Sequence, residues 1–428
     1  MSGPSPTDGT LRPPPLRNDC FALPAGVDWT PVDDAMAQLR DGLHAVTGVI
    51  RLPVDEAAGR VLAEPVAALR SNPPMPNSAV DGYGFAHAAT GSGPQQLPLV
   101  EGRAAAGVPF EGGVPLGQAI RILTGAILPE GVDTVVLEED VTTDGANVAF
   151  HGPLRAGSNT RKAGEDVVAG AQVFDAGHRL GAPDLALLSA LGVAEVSVRE
   201  PLRVGVLSTG DELVAAGQPA GPGQIFDANR PMLLAMLRRW GVVAVDMGHV
   251  GDDRAALAER LDDARDRCDA LLTSGGASAG DEDHVSALLA ETGSLRNWRI
   301  ALKPGRPLAL ALWQGMPVFG LPGNPVAAFV CTLLFARPAF AVLEGAEWSA
   351  PQGFTVPAAF KKNKKPGRRE YLRARLDAEG RAEVFVSEGS GRISGLSWAT
   401  GLVELEDGAR DVRPGDPVRF LPYASFGL

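Results

Sequence analysis

Carboxylates cluster after two glycine turns in the second half of the chain. The first turn is Ser208-Thr209-Gly210-Asp211-Glu212. The second is Thr273-Ser274-Gly275-Gly276-Ala277-Ser278-Ala279-Gly280-Asp281, running on into Glu282 and Asp283, and Asp252 and Asp253 follow the strand-like run between them. If these turns share one sheet edge, the acids repel one another unless a cation or ligand donors compensate. Mg²⁺ suits such a rim, because it takes a few carboxylates, keeps water and bridges phosphates. The plainer alternative is that Asp211 and Asp253 cap helices and Glu282 is solvated. A third turn, Phe319-Gly320-Leu321-Pro322-Gly323-Asn324-Pro325-Val326-Ala327, reads as strand, sharp turn and helix start. Gly323 permits an unusual backbone angle, and Pro325 suits the first helical position just after Asn324 as cap. Free N–H groups there could receive an anion. Three such turns within about 120 residues point to one crevice at strand carboxyl ends.

Cations stand nearby in sequence. Arg299-Ile300-Ala301-Leu302-Lys303-Pro304-Gly305-Arg306-Pro307 alternates, so Arg299 and Lys303 can point the same way, toward a phosphate or oxyanion. A charged outer face on an edge strand explains the pattern equally well. Asn77-Ser78-Ala79-Val80-Asp81-Gly82-Tyr83-Gly84 and Arg121-Ile122-Leu123-Thr124-Gly125-Ala126 are polar turns against apolar runs, and Asp81-Gly82 alone is most simply a turn. Arg161-Lys162-Ala163-Gly164-Glu165-Asp166 reads as exposed charge. The run Lys361–Lys365 with Arg368 and Arg369 is a solvated loop or a local anion patch. No Ser/His/Asp triad, dinucleotide fingerprint or Walker loop is present in the right context, which argues against an ordinary hydrolase, dehydrogenase or P-loop kinase.

The elements that must position these residues change style along the chain. Residues 1–24, with Pro13-Pro14-Pro15, predict a disordered segment. Residues 25–69 and 159–200 read as two halves of a first, linker or dimerisation, domain. Val32, Met36, Leu39 and Leu43 keep one-face helical spacing, Val54–Leu62 continues as helix after Pro53, Pro183–Leu191 is helical and Val193–Val198 a strand. Residues 70–158 are Gly- and Pro-rich with short β-like runs, Ala119–Leu123 and Thr134–Glu138, and read as an inserted β domain. From 201 to 345 strands alternate with helices: Arg203–Leu207, Asn229–Trp240, Val242–Met247, Asp253–Cys268, Ala270–Thr273 and a helix from His284. That pattern gives an open, mostly parallel α/β sheet with helices on both faces. Residues 346–428 return to short strands and form a C-terminal β domain.

A chain of 428 residues exceeds one ordinary core. A net charge of −12 argues against a broad nucleic-acid or anionic-membrane surface. Cys20, Cys268 and Cys331 lack metal-ligand spacing, the last two sit in apolar patterns, and the set fits a reducing cytoplasm. The six histidines are scattered, and no run approaches membrane-spanning length.

Taken in order, Asn77–Tyr83, Arg121–Ala126, Arg161–Asp166, Ser208–Leu213, Ser274–Asp283, Lys303–Pro307 and Leu321–Val326 resemble the molybdopterin molybdenumtransferases, the MoeA type, similar to the E domain of gephyrin. The resemblance runs from about residue 25 to the C-terminus, and the combination of motifs is its specific part. It implies an elongated four-domain homodimer whose 201–345 unit binds molybdopterin. It also implies a reaction of adenylylated molybdopterin with molybdate, requiring Mg²⁺, that releases AMP and leaves molybdenum on the dithiolene. By the same resemblance Glu212, Asp252 and Asp283 hold the metal and act in catalysis. Lys303 and Arg299 hold phosphate or molybdate. Thr209, Gly210, Asp211, Ser274, Gly275, Gly276, Ser278, Pro322, Gly323, Asn324 and Pro325 line the pterin and nucleotide crevice. Asp81, Thr124, Arg161 and Asp166 match positions tied to activity, with Asp81 and Thr124 reaching the partner subunit's cleft. Ser390, in Gly389-Ser390-Gly391, faces the same cleft. Arg299 stands where Lys is more usual, and His284 where an aromatic is. A molybdopterin adenylyltransferase is the expected supplier of substrate. The rival readings are that this chain is itself an adenylyltransferase, or a non-catalytic scaffold of the same fold.

Overall fold

The computed structural model describes residues 29–275, 284–291, 296–305 and 307–428, the backbone alone for 296–299 and 307. The segment 1–24 expected to be disordered lies outside the described residues, as do Cys20, Gly276, Ser278, Asp281, Glu282, Asp283, Arg306 and the side chain of Arg299.

The apolar run Arg203–Thr209 forms a strand buried from Val204 to Ser208, as its lack of apolar–polar alternation requires. It anchors a six-stranded sheet ordered Val243–Val250, Arg203–Thr209, Ala270–Ser274, Met316–Leu321, Pro307–Trp313, Arg296–Arg299. The first four strands are parallel, and Pro307–Trp313 runs antiparallel to both its neighbours, Met316–Leu321 and Arg296–Arg299. Val204, Val206, Leu272, Phe319 and Leu321 pack one face against the helix Asn229–Arg239 and the helical run Pro325–Leu343. Leu207, Leu271 and Val318 pack the other against the helices Arg254–Arg267 and His284–Glu291. Val32, Ala35 and Leu39 of the first helix, Val32–Gly42, also enter the first of these cores. Arg369 fastens that helix by a bidentate pair to Asp33, both oxygens at 2.8 Å.

Two further six-stranded sheets flank this unit. One runs Thr134–Leu137, Gly82–Phe85, Ala119–Ile122, Gly93–Ala104, Asn147–Gly152, Thr142–Thr143. The other runs Leu302–Lys303, Arg369–Leu376, Gly401–Leu405, Pro417–Pro422, Phe354–Pro357, with Ala382–Val384 on its second strand. The molecule is therefore a multidomain α/β protein with a central, mostly parallel sheet, an inserted β domain and a C-terminal β domain. The chain leaves for the insertion and returns through antiparallel pairs: Val49–Pro53 with Glu195–Arg199, Val66–Ala67 with Gln172–Phe174, and Asn77–Ser78 with Thr160–Arg161.

Three sequence expectations are corrected. Val54–Leu62 is not a helix: a three-residue 3₁₀ turn, Val54–Glu56, is followed by bridges of Val61 to Arg179 and Leu62 to Val198. The apolar side chains Val54 and Leu62 are buried by that strand partner instead of by a helical face. Arg299 and Lys303 are not one strand: Arg299 ends the last strand of the central sheet, whereas Lys303 pairs with Glu370 in the C-terminal sheet. Alternation cannot orient two residues on different sheets. Finally, the helical run Pro325–Leu343 is 19 residues long and apolar enough to cross a bilayer, and 89% of it is buried within the protein. It serves as the core helix of the α/β unit.

Candidate functional site

In the central sheet the first strand lies between the second and third, so chain order reverses beside it. Open α/β sheets form their ligand crevice at such a reversal, outside the strand carboxyl ends. Register brings Ser208 beside Ser274, and Ser274 beside Leu321. The Gly275 N–H donates to Leu321 O at 3.2 Å and the Gly210 N–H to Val250 O at 3.2 Å. Gly275 has φ +102°, and a Cβ there would lie 2.8 Å from Thr209 Oγ1 and 3.0 Å from Thr209 O. Gly210 has φ +128° with the Glu212 carboxylate folded over it, 2.3 Å from where a Cβ would stand. Gly275→Ala is accordingly expected to destabilise the central domain by about 1–3 kcal/mol and to push the Thr209 turn outward. Denaturant unfolding checks this; wild-type stability would refute the packing argument.

The acidic rim forms on two adjacent loops. Asp211 Oδ1 accepts from the Asp252 N–H at 3.0 Å, and Asp252 Oδ2 accepts more weakly from the Asp211 N–H at 3.4 Å. His249 Nε2, as the protonated tautomer, donates to Gly210 O at 2.7 Å. Of the two expected caps only Asp253 is one, accepting from the Ala256 N–H at 2.7 Å. Asp211 instead ties the Glu212 and Asp252 loops together. Among the described residues no three His, Cys, Asp or Glu side chains gather as a metal cage.

Sequence reasoning missed the residues beneath the rim. Asn229 is buried, and its Nδ2 donates to Ser274 Oγ at 2.7 Å and Gly323 O at 2.7 Å, joining the second and third turns. Asp227, also buried, accepts from Ser208 Oγ at 2.7 Å and pairs with Arg230, which reaches on to Asp246. The helix beginning at Asn229 was legible; an Asn and an Asp at its mouth carried no further signal.

At the third turn Asn324 caps the helix by accepting from the Val326 N–H at 3.3 Å, with Pro325 in the first turn, as expected. The unusual angle that Gly323 permits is not taken: its φ is not positive, and its Cβ position is open except for Gly275 Cα at 3.9 Å. Ser390 arrives from the C-terminal domain, its carbonyl 3.4 Å from the Val326 nitrogen.

Lys303 faces that domain and is already paired. Its Nζ donates to Glu388 at 2.6 Å and lies 3.5 Å from Glu370. Lys362 pairs with the same two acids, at 2.9 Å to Glu370 and in closer contact with Glu388. Lys364, in the run whose composition reads as a solvated loop or a local anion patch, is instead buried and donates to the carbonyls of Lys365, Asp407 and Gly408. A cavity of about 180 Å³ opens here between Lys303, Val326, Lys361, Arg373, Ser387 and Glu388.

The remaining candidates lie on and beside the inserted domain. Asp81 accepts from both the hydroxyl and the backbone N–H of Thr124, each at 2.6 Å, and these bonds hold its carboxyl below the usual range. Arg161 pairs across strands with Asn77 and is exposed, and Asp166 accepts from Asn72 Nδ2 at 2.9 Å. Among the described residues no hydrogen bond or ion pair joins Asp81, Thr124, Arg161 or Asp166 to Thr209, Glu212, Asp252, Ser274 or Lys303.

Comparison with known proteins places this geometry. Residues 30–192 match the MoeA N-terminal region (domain I and II), 205–341 a probable molybdopterin binding domain, and 355–423 the MoeA C-terminal region (domain IV). The molybdopterin molybdenumtransferase of Haemophilus influenzae is 35% identical over 399 residues, covering 92% of this chain and 98% of its own. Molybdopterin molybdenumtransferase 2 of Mycobacterium tuberculosis is 34% identical, with 86% and 93% covered. The crystal structure of the molybdopterin biosynthesis moeA protein from Pyrococcus horikoshii OT3 superposes with a TM-score of 0.80 at 28% identity, covering 92% of this chain and 100% of that one. The fold and these matches define a multidomain transferase of molybdenum cofactor biosynthesis. The chain belongs to the molybdopterin molybdenumtransferase family, the MoeA type.

Proposed function

We propose that this enzyme reacts adenylylated molybdopterin with molybdate, releases AMP and leaves molybdenum on the pterin dithiolene. The observation that carries the reading is the meeting of three turns at adjacent strand ends, where Gly275 bonds to Leu321 and Asn229 ties Ser274 to Gly323, with the Glu212 and Asp252 loops linked beside them through Asp211. Thr209, Gly210, Ser274, Gly275 and Gly323–Pro325, with Gly276 and Ser278 beyond the described residues, would line the pterin and nucleotide. Glu212 and Asp252, with Asp283, would hold Mg²⁺. Two carboxylates on adjacent loops fit that ion, which completes its sphere with water and phosphate oxygens. Bound there, it would supply charge neutralisation at the phosphoanhydride. Asp211 positions the two acids through its bond to the Asp252 N–H. Lys303 and Arg299 would meet the oxyanions, since carboxylates alone repel a dianion. Asp81, Thr124, Arg161, Asp166 and Ser390 would complete the cleft, the first two from the partner subunit of a homodimer. The buried, unpaired thiols of Cys268 and Cys331, pushed up to about 11 and about 12 by burial, support a reducing, cytoplasmic setting. A molybdopterin adenylyltransferase would deliver the substrate.

The test is AMP release from adenylylated molybdopterin, molybdate and Mg²⁺, expected to stop on chelation. No AMP from folded protein would favour the scaffold reading. Adenylylated product formed from ATP and molybdopterin would favour the adenylyltransferase.

A further inference from the structure

Lys303 and Lys362 share two carboxylates in unlike settings. Glu370 is a strand residue of the C-terminal sheet, its side chain 8% exposed, fixed behind the two amines. Glu388 sits on the loop that follows Val386, its side chain 45% exposed, and spans both amines from the solvent side. Burial acts to raise the Glu388 carboxyl, but the two lysines outweigh it and hold the group below its usual range. Beneath the loop, Arg373 donates to the carbonyls of Ser387, Gly389 and Arg392. The loop backbone is therefore pinned, while the Glu388 side chain retains a path to water. The adjoining cavity of about 180 Å³ has room for several waters, at roughly 30 Å³ each, and so for a four-oxygen anion.

Charge decides what can enter. With both acids in place the two ammonium groups are neutralised, and an arriving dianion is drawn only by Lys361 and Arg373 on the cavity wall. With Glu388 rotated out, Lys303, Lys362 and Glu370 add one net positive charge to those two, and the lysines gain free donors while Glu370 keeps them aligned. We propose that Glu388 is a resident stand-in for a tetrahedral oxyanion: it occupies Lys303 and Lys362 in the free enzyme and exchanges with molybdate by side-chain rotation. This rests on the reading of Lys303 as an oxyanion ligand and adds Lys362 as a second ligand and Glu388 as the competing one. The device discriminates between anions, because a monoanion gains little by displacing a carboxylate whereas a dianion recovers the exchange. It also keeps the paired amines from standing bare in the empty enzyme.

The experiment is titration of the full chain with sodium molybdate at fixed ionic strength, followed by calorimetry, with inorganic phosphate and AMP as parallel probes. Glu388→Gln is expected to lower the molybdate Kd about tenfold, and Lys362→Met to raise it by a similar factor. Glu388→Asp, too short to span both amines, should lower it about threefold and decides the matter if Glu388→Gln fails to fold. A gain for AMP exceeding that for molybdate would overturn the assignment to molybdate in favour of the nucleotide phosphate. Unchanged or weakened molybdate binding in the Glu388 variants, with Lys303→Met still weakening it, would overturn the exchange alone. If Lys303→Met leaves molybdate binding untouched, the reading of Lys303 itself fails.

Discussion

Subunits carrying Asp81→Ala and subunits carrying Glu212→Ala, each nearly inactive alone, are expected to recover activity when mixed. In one chain Asp81 and Thr124 bond to each other on the inserted domain, while Glu212 lies over Gly210 at the strand ends of the central sheet. A cleft built from both sets would draw on two protomers. Removing either acid should cost about 10²–10³-fold in AMP release, the usual loss when one preorganised polar group leaves an active site. Random exchange of equal amounts makes half the dimers mixed. Each mixed dimer holds one cleft with both acids and one with neither, so about a quarter of wild-type activity returns. No recovery after verified exchange would place both acids in one subunit's cleft, or remove Asp81 from the chemistry.

The second large effect concerns a residue that touches no proposed reacting group. Asn229→Ala would leave Ser274 Oγ and Gly323 O without the donor they now share at 2.7 Å. Ser274 is buried, and leaving its hydroxyl without this donor costs about 1–3 kcal/mol, whereas Gly323 is exposed and its carbonyl can turn to water, so a loss of about 1–3 kcal/mol is expected, a sizeable part of a typical domain's roughly 5–15 kcal/mol. The second and third turns would also lose their common tie, and binding of the pterin should fall with stability. Trp240, one of the chain's six tryptophans, is buried in the same core and contributes to the fluorescence change that a urea titration follows. A loss below about 0.5 kcal/mol would mean that the turns hold their positions without Asn229.

Much of the scaffold was legible because strand and helix periods are local. Arg203–Thr209, Asn229–Arg239, Arg254–Arg267 and Ala270–Ser274 fall within two residues of their expected bounds. Asn324 and Pro325 mark the helix start because capping and fixed φ act within one turn. The Val54–Leu62 error has the same origin: apolar residues at helical spacing also suit a segment buried by a distant strand, and Leu62 bridges Val198. Gly323 permits a positive φ without taking one, whereas Gly275 has φ +102° and leaves no room for a Cβ beside Thr209; a glycine in a turn does not by itself say which.

By itself the sequence determined the architecture, the family, and the gathering of the glycine turns at one sheet edge, all consequences of periodicity, turn chemistry and motif order. Only the tertiary structure decided which charges are free and which are spent. Lys303 crosses to a second sheet and meets Glu388 and Glu370, which lie 85 and 67 residues along the chain, and Asp211 turns from helix cap to tie between loops. Coulombic and hydrogen-bond partners are chosen by proximity in space, and no local spacing rule encodes which distant side chain arrives.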